Sequence, residues 1–208
     1  MGFARSKDQV AVVNDCHLDN QYLLKCCIGK TAVELRNVTA TSELFTVIDF
    51  AALDSTFNRL TLGNDDFECA ELFPNYGRIE HTTITDLIIS SHVVCDVMDK
   101  SDIQRMKVYG NATIRSDAFV NSIDVTPLGQ VIILGCDVPF LDISGTVIAL
   151  NSIIDTHNLR AGGRLYHHNT KLKNSCHCNR PAITGKIKLN DPFVLNLLAM
   201  SEFAYAYG

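Results

Sequence analysis

Residues 107–120 read KVYGNATIRSDAFV, and their apolar positions count in sixes. Val108, Ile114 and Val120 are six apart, and so are Ala112 and Ala118. A strand alternates its side chains with a period of two and a helix repeats near 3.6, so a count of six belongs to neither alone. Three sixes make about 18, the length of a coil built from three short strands. In such a chain equivalent inward positions lie above one another, and each coil hydrogen-bonds to the next over a column of apolar side chains.

Sliding the sequence along itself tests the idea. A shift of 18 places Ile114 on Ile132 and Leu150, Val120 on Val138, Ile123 on Leu141, Val125 on Ile143 and Val131 on Ala149. Upstream the matches thin out to Ala52 on Ala70, Ile88 and Met106, Leu35 on Leu53, and Leu44 on Leu62. Short apolar runs such as RLTLGNDD, TITDLIISS, VIILGCD and FLDISGTVIALNS are separated by Gly, Asn, Asp and Ser, which is strand-and-turn punctuation. The pattern predicts an all-β chain, a single-stranded parallel β-helix (solenoid) over 31–160. Residues 1–30 are expected to cap it and 161–208 to form a loop and a C-terminal helical tail. The alternative is a β-sandwich, because the first hundred residues carry strands without a clear repeat.

The stretch VYGNATIRSDAFV resembles the hexad repeats of bacterial and phage β-solenoid proteins, in which V-Y-G-N-A units recur in tandem. LGQVIILGCDVPFLDISGTVIAL is similar to bactofilins, β-helical proteins that form scaffold polymers. The resemblance implies a structural or assembly protein: a virion component such as a spike, fibre or capsid-associated protein, or a scaffold polymer. Its partners would be further copies of itself or neighbouring structural subunits. Hexad-built solenoids also include trimeric acyltransferases that use a histidine between subunits as general base. His92 or His157 would have to fill that role, and both are read as lying at coil corners.

The C-terminal stretch has a different character. Asp191-Pro192 reads as a helix N-cap followed by proline at the first helical position. Phe193, Leu197, Met200 and Ala204 then form one stripe, with Val194 and Leu198 beside it and Glu202 the single charge. Such a helix either folds back onto the solenoid or binds a neighbour. Phe193, Val194, Leu197, Leu198 and Met200 are the candidate oligomer contact.

Composition narrows the functional classes. The chain has 208 residues, 47% hydrophobic and 20% charged, with a net charge of -5. No basic face is evident, which argues against nucleic acid as a partner. No apolar run is long enough for a membrane span, and Asp8 interrupts the N-terminus before a signal-peptide core could form. The expected location is the cytoplasm or an assembled particle. The eight cysteines are therefore read as reduced, with Cys69, Cys95 and Cys136 inside apolar runs where cysteine acts as a small hydrophobe.

Few constellations suggest chemistry. YHHNTKLKNSCHC brings His167, His168, Cys176, His177 and Cys178 close in sequence, a donor set suited to zinc. The candidate ligands are His167, His168, Cys176 and Cys178, although Cys-x-Cys is tighter than the usual structural-zinc pair and an exposed loop is the simpler reading. No other cofactor is expected. In NDCHLDN, Asp15, His17 and Asp19 would share one face of an extended strand, most simply as its wet face. Asn64, Asp65, Asp66 and Glu68 read as an acidic turn without calcium-loop spacing. Cys26 and Cys27 have no histidine placed beside them by the sequence, and Gly162-Gly163 reads as a lone turn. No serine-hydrolase elbow, phosphate loop or dinucleotide fingerprint is present.

Overall fold

The computed structural model describes residues 10–19, 22–24, 32–46, 49–63, 75–177 and 183–186, and these contain strands and turns but no helix. The chain begins with β1 (Val10–Asn14), β2 (His17–Leu18) and β3 (Tyr22–Leu24). It continues through β4 (Ala32–Arg36), β5 (Thr39–Thr46), β6 (Asp49–Leu53), β7 (Thr56–Leu62) and β8 (Asn75–Glu80). The middle holds β9 (Thr83–Ile89), β10 (Val93–Met98), β11 (Asp102–Val108), β12 (Asn111–Ile114) and β13 (Phe119–Val125). Next come β14 (Gln130–Leu134), β15 (Asp137–Ile143), β16 (Thr146–Leu150) and β17 (Ile153–Leu159). The last are β18 (Arg164–His168), β19 (Lys171–His177) and β20 (Ile183–Lys186).

These strands form two parallel sheets that the chain visits in alternation. The first runs β1-β4-β6-β8-β10-β12-β14-β16-β18-β20, and the second β19-β17-β15-β13-β11-β9-β7-β5-β2 with β3 also on β5. The molecule is a β-solenoid, as the sixes predict. A sandwich would need antiparallel pairs, and every pairing here is parallel. The coil extends past the expected limits on both sides. β1, β2 and β3, placed in a cap by sequence, already pair with the next coil, and β18, β19 and β20, placed in a loop, are three further strands of the solenoid. The C-terminal tail lies outside the described residues.

Each coil contains two strands instead of three, because the longer strand takes two sides of the coil. Ile84, Leu87 and Ile89 are buried at spacings of three and then two. Pairing between β9 and β11 skips Thr85 and Gln104 at the wider step. Two outward residues in a row turn the chain there.

The step between coils centres on 18 but wanders. Val94 pairs with Asn111 and Asn111 with Gln130, steps of 17 and 19, whereas Ser122 to Phe140 is 18. Ile123 on Leu141 and Val125 on Ile143 are therefore true neighbours. Others shift by one or two places: Ile114 lies beside Ile133, Val131 beside Val147, Leu35 beside Ala52 and Leu44 beside Leu60.

Inward columns fill the coil completely. Cys95, Ala112, Val131, Val147 and Leu165 succeed one another in the first sheet, next to Val97, Ile114, Ile133 and Ala149. Leu87, Met106, Ile123 and Leu141 do so in the second. All are at most 3% exposed, so burial along the columns is the main force holding the coil closed.

Candidate functional site

The corners place everything on the surface, and two kinds alternate. After each short strand of the first sheet the chain turns through a left-handed residue and then an inward one. The pairs are Asp15-Cys16, Asn37-Val38, Asp54-Ser55, His81-Thr82, Lys100-Ser101, Asp117-Ala118, Gly135-Cys136, Asn151-Ser152 and Asn169-Thr170. Asp and Asn tolerate positive φ better than other side chains, which explains their recurrence. They also stack: Asn37 Nδ2 donates to Asp15 Oδ1 at 2.7 Å, and Asn169 Nδ2 to Asn151 Oδ1 at 2.9 Å.

The inward residue binds the backbone of two coils. Ser152 Oγ donates to the Leu150 carbonyl at 2.8 Å and accepts from the Cys136 N–H at 3.3 Å. Ser55 Oγ repeats this with the Leu53 carbonyl and the Val38 N–H, at 2.7 and 3.1 Å. Cys136 Sγ sits 2.9 Å from the Arg115 carbonyl, and burial pushes its thiol up to about 12. Cys95 is also buried and its thiol is held well above the ordinary value by burial, with the Asp96 carboxylate adding to the effect. Both cysteines are core residues, as expected, while Cys69 lies outside the described residues.

Four of the return corners, from long strand to short, use glycine, whereas the one between β9 and β10 is Ser90-Ser91-His92. Gly110, Gly129, Gly145 and Gly163 stand immediately before β12, β14, β16 and β18. A Cβ on Gly145 would lie 2.2 Å from the Thr126 carbonyl oxygen and 2.3 Å from that of Gly129. On Gly129 it would lie 2.3 Å from the Val108 oxygen. Gly163, read as half of a lone turn, is thus one step of a column.

The outer face of the second sheet carries charges that neutralise one another between coils. Arg59 meets Glu43 at 3.3 Å, Arg105 meets Asp86 at 2.5 Å, and Lys173 meets Asp155 at 2.5 Å. Arg160 binds both oxygens of Asp142, each at 2.5 Å. Lys107 lies 3.9 Å from Asp124. A shallow groove of about 420 Å³ runs between Arg59, Asp86, Arg105, Lys107 and Asp124. Arg105 pairs with Asp86 and Lys107 lies near Asp124 within it, while Arg59 is paired with Glu43 outside the lining, so the groove concentrates little charge of one sign for a ligand. Exposed pairs of this kind stabilise by about 0–1 kcal/mol each.

The first sheet's outer face is different. Asp96 and Arg115 form an ion pair at 3.5 Å with only 9% and 20% of their side chains exposed. Burial raises the Asp96 carboxyl above its ordinary value, and Arg115 pulls it partly back.

The residues expected to carry chemistry are dispersed. His92 is exposed and directly precedes β10, a corner as expected. His157 is not at a corner: it lies in β17, 2% exposed, beside Leu141 in the inward column. Of the candidate zinc ligands, His167 takes the place after Ala149 in an inward column of the first sheet. Burial lowers its imidazole, and Lys186 adds to the effect. His168 ends β18, Cys176 is exposed on β19 of the other sheet, and Cys178 lies outside the described residues. Among the described residues no group of three or more His, Cys, Asp or Glu is placed to hold a metal ion. Asp15 has positive φ and so leaves the extended alternation that would align it with His17 and Asp19; all three are exposed. Cys26, Cys27, the acidic run 64–68 and the candidate contact Phe193, Val194, Leu197, Leu198 and Met200 lie outside the described residues.

Sequence reasoning did not find the corner system, although its signal is a recurring dipeptide of Asp, Asn or Gly followed by Ser, Thr or Cys. Comparison with family models, with curated proteins and with solved structures returns no match.

Proposed function

We propose that the protein is a structural, non-enzymatic subunit that associates with neighbouring subunits in a particle or a scaffold polymer. The observation that carries this reading is the solid core: among the described residues, apolar columns fill the coil from β4 to β18 and leave no space inside it for catalytic side chains to converge on. Of the two histidines either of which could serve an acyltransferase, His157 is sealed in the core and His92 stands on an exposed turn. Parallel sheets also suit end-on association. Among the described residues β1 pairs with β4 alone, and Ala11, Val13, Cys16 and Leu18 at this end are only half-buried against the core. A second subunit could satisfy both the strand edge and those side chains.

Light scattering after size exclusion on the full chain tests the reading. A mass above the 23.0 kDa of one chain is expected, falling in a Val13→Asp variant whose circular dichroism is unchanged. A full-length protein that is monomeric at every concentration and copurifies with no structural subunit overturns it.

A further inference from the structure

The two ends of the described coil are built differently. Two inward columns of the first sheet run pair by pair from β1 to β20. One begins at Ala11 and ends in Leu165 and Thr184; the other begins at Val13 and ends in His167 and Lys186. In the second sheet the column through Leu141 and His157 ends at Ser175. Thr184, Lys186 and Ser175 are exposed, and the half-buried Leu172 of β19 is the apolar exception beside them. At the β1 end the inward residues Ala11, Val13, Cys16 and Leu18 are all apolar or thiol and half-buried.

The strand edges repeat the contrast. β1 reads VAVVN, without charge or proline, and Val12 on its outer face is 52% exposed. Among the described residues β1 pairs with β4 alone. β19 reads KLKNSCH and β20 reads ITGK, so Lys171, Lys173 and Lys186 stand on the strands at the other end. Lysine on an edge strand discourages further pairing, whereas an uncharged apolar edge invites it. Terminal units of a solenoid that face water are polar for the same reason.

We propose that two copies of the chain join β1 end to β1 end about a two-fold axis, so that the assembly unit is a closed pair and not an open fibre. This rests on the structural-subunit reading above and names that subunit's partner. A head-to-tail joint that continued the columns would set Val13 on Lys186 and Ala11 on Thr184. Burying an ammonium group against valine is costly unless an anion pairs with it. A two-fold axis through the middle of β1 avoids that contact. It makes the two β1 strands antiparallel and keeps their inward faces inward. With Val12 opposite its own copy, Ala11 lies opposite Val13 of the partner subunit, a small apolar side chain against a larger one. The outer N–H and C=O groups of the two strands then bond to each other.

Mass in solution and cross-linking of the full chain test this. Light scattering over a wide concentration range should level off at twice the 23.0 kDa of one chain. Val12→Cys should form a disulfide between copies on mild oxidation, since directly opposed residues of an antiparallel pair hold their Cβ atoms about 5 Å apart. The parent chain under the same oxidation controls for the native cysteines. In a head-to-tail joint Val12 falls on Gly185, the last residue of its row, so Val12→Cys would link only when mixed with Gly185→Cys. Gly185 accepts a side chain, its added Cβ meeting only Tyr166 Cδ1 at 3.8 Å. Val12→Lys should weaken the pair at least about tenfold by opposing like charges across the joint. Its circular dichroism should not change, because Val12 points outward. A mass that keeps rising with concentration, linkage only in the mixture, or a pair that Val12→Cys fails to link would overturn the proposal and leave the structural-subunit reading standing. A chain monomeric at every concentration would overturn the pair as well, and copurification with a structural subunit then decides the broader reading separately.

Discussion

Where a short strand passes to a long one, the chain turns through Asn151-Ser152 or its equivalent; where a long strand returns to a short one, it turns through Gly145 or its equivalent. The first corner has room outside and polar demand inside. Its outer residue is exposed, and its inner residue, where it is Ser or Thr, satisfies backbone groups of two coils; Val38 and Ala118 fill the place without a hydroxyl. The second corner has no room at all, because backbone oxygens of the preceding coil occupy the place of a side chain. One corner therefore selects for hydrogen-bonding chemistry and the other for the absence of a Cβ. The contrast explains why several residue types recur at one corner and glycine recurs before β12, β14, β16 and β18 at the other, the corner before β10 being Ser90-Ser91-His92.

The largest effect should come from putting a side chain into the closed corner. Gly145→Ala brings a methyl group to 2.2 and 2.3 Å from two carbonyl oxygens, and neither oxygen belongs to a flexible side chain. A loss of about 3 kcal/mol or more is expected, seen as a lower denaturation midpoint or as insoluble protein. Gly162→Ala, one residue before the parallel position Gly163, is the control. Nothing lies within 4 Å of its added Cβ, though its φ of +80 keeps some strain. If Gly145→Ala were as mild as the control, the closed-corner account would fail.

Next in size is the inner residue of the open corner. Ser152→Ala removes the acceptor for the buried Cys136 N–H and should cost about 1–3 kcal/mol. Ser55→Ala should do the same through the Val38 N–H. Ser152→Thr should recover most of the loss, since Thr170 performs the same task one coil later, accepting from the Ser152 N–H at 3.4 Å. Denaturant melts of the three variants suffice. A Thr variant as weak as the Ala variant would show that shape, and not the hydroxyl, is what the corner requires.

The outer residue of the open corner should matter least for space and most for φ. Asn151 has φ of 52 and is exposed. Asn151→Val should cost about 1–2 kcal/mol through the left-handed penalty on a branched side chain. Asn151→Gly should change stability by no more than about 0.5 kcal/mol, because glycine takes this φ freely. Gly135 already does so one coil earlier. Equal losses from Val and Gly would shift the weight from backbone φ to the bond with Asn169.

How far the sequence reveals all this follows from the same corners. The sixes are legible at 107–120 because Val108, Ile114 and Val120 are inward and wholly buried, with Ala112 and Ala118 nearly so. The repeat fades upstream because Phe50 pairs with Gly77, a step of 27 that a fixed shift cannot follow. Steps of 16 and 17 elsewhere displace Leu44 and Leu35 from their expected neighbours. The open corner is written as Asp, Asn or Gly before a small inward residue, but two-residue signals stand out only once the coils are aligned. His157 and His167 misled the reading for a physical reason: they are polar residues in inward columns, so the apolar count stops before the coil does. The double-sided burial of TVIAL could not be seen either, because an unbroken apolar run does not say whether both of its faces are covered.

The effect that is absent at neutral pH concerns the one open corner whose inner residue is a buried thiol. Cys136 occupies the place that Ser55, Ser101 and Ser152 hold in other coils, and it packs against the carbonyls of Leu134 and Arg115. Burial, with the Asp137 and Asp117 carboxylates adding to it, raises the thiol from an ordinary 9.0 to about 12; the Leu134 backbone opposes the shift. A group whose folded value lies above its unfolded one contributes stability that is fully present below the unfolded value and is lost as pH rises through the folded one. The corner should therefore weaken from about pH 9 to about pH 12. Cys136→Ser retains a hydrogen-bonding atom without a titrating thiol, so its stability relative to the parent should be flat below pH 9 and improve above it. Melts of the pair across that range read the difference directly. Thiol labelling at about pH 8 gives the companion measurement, with exposed Cys176 reacting well before Cys136. If Cys136 were labelled as fast as Cys176, its corner would open to solvent, and the tight hydrogen-bonded column would not extend through this coil.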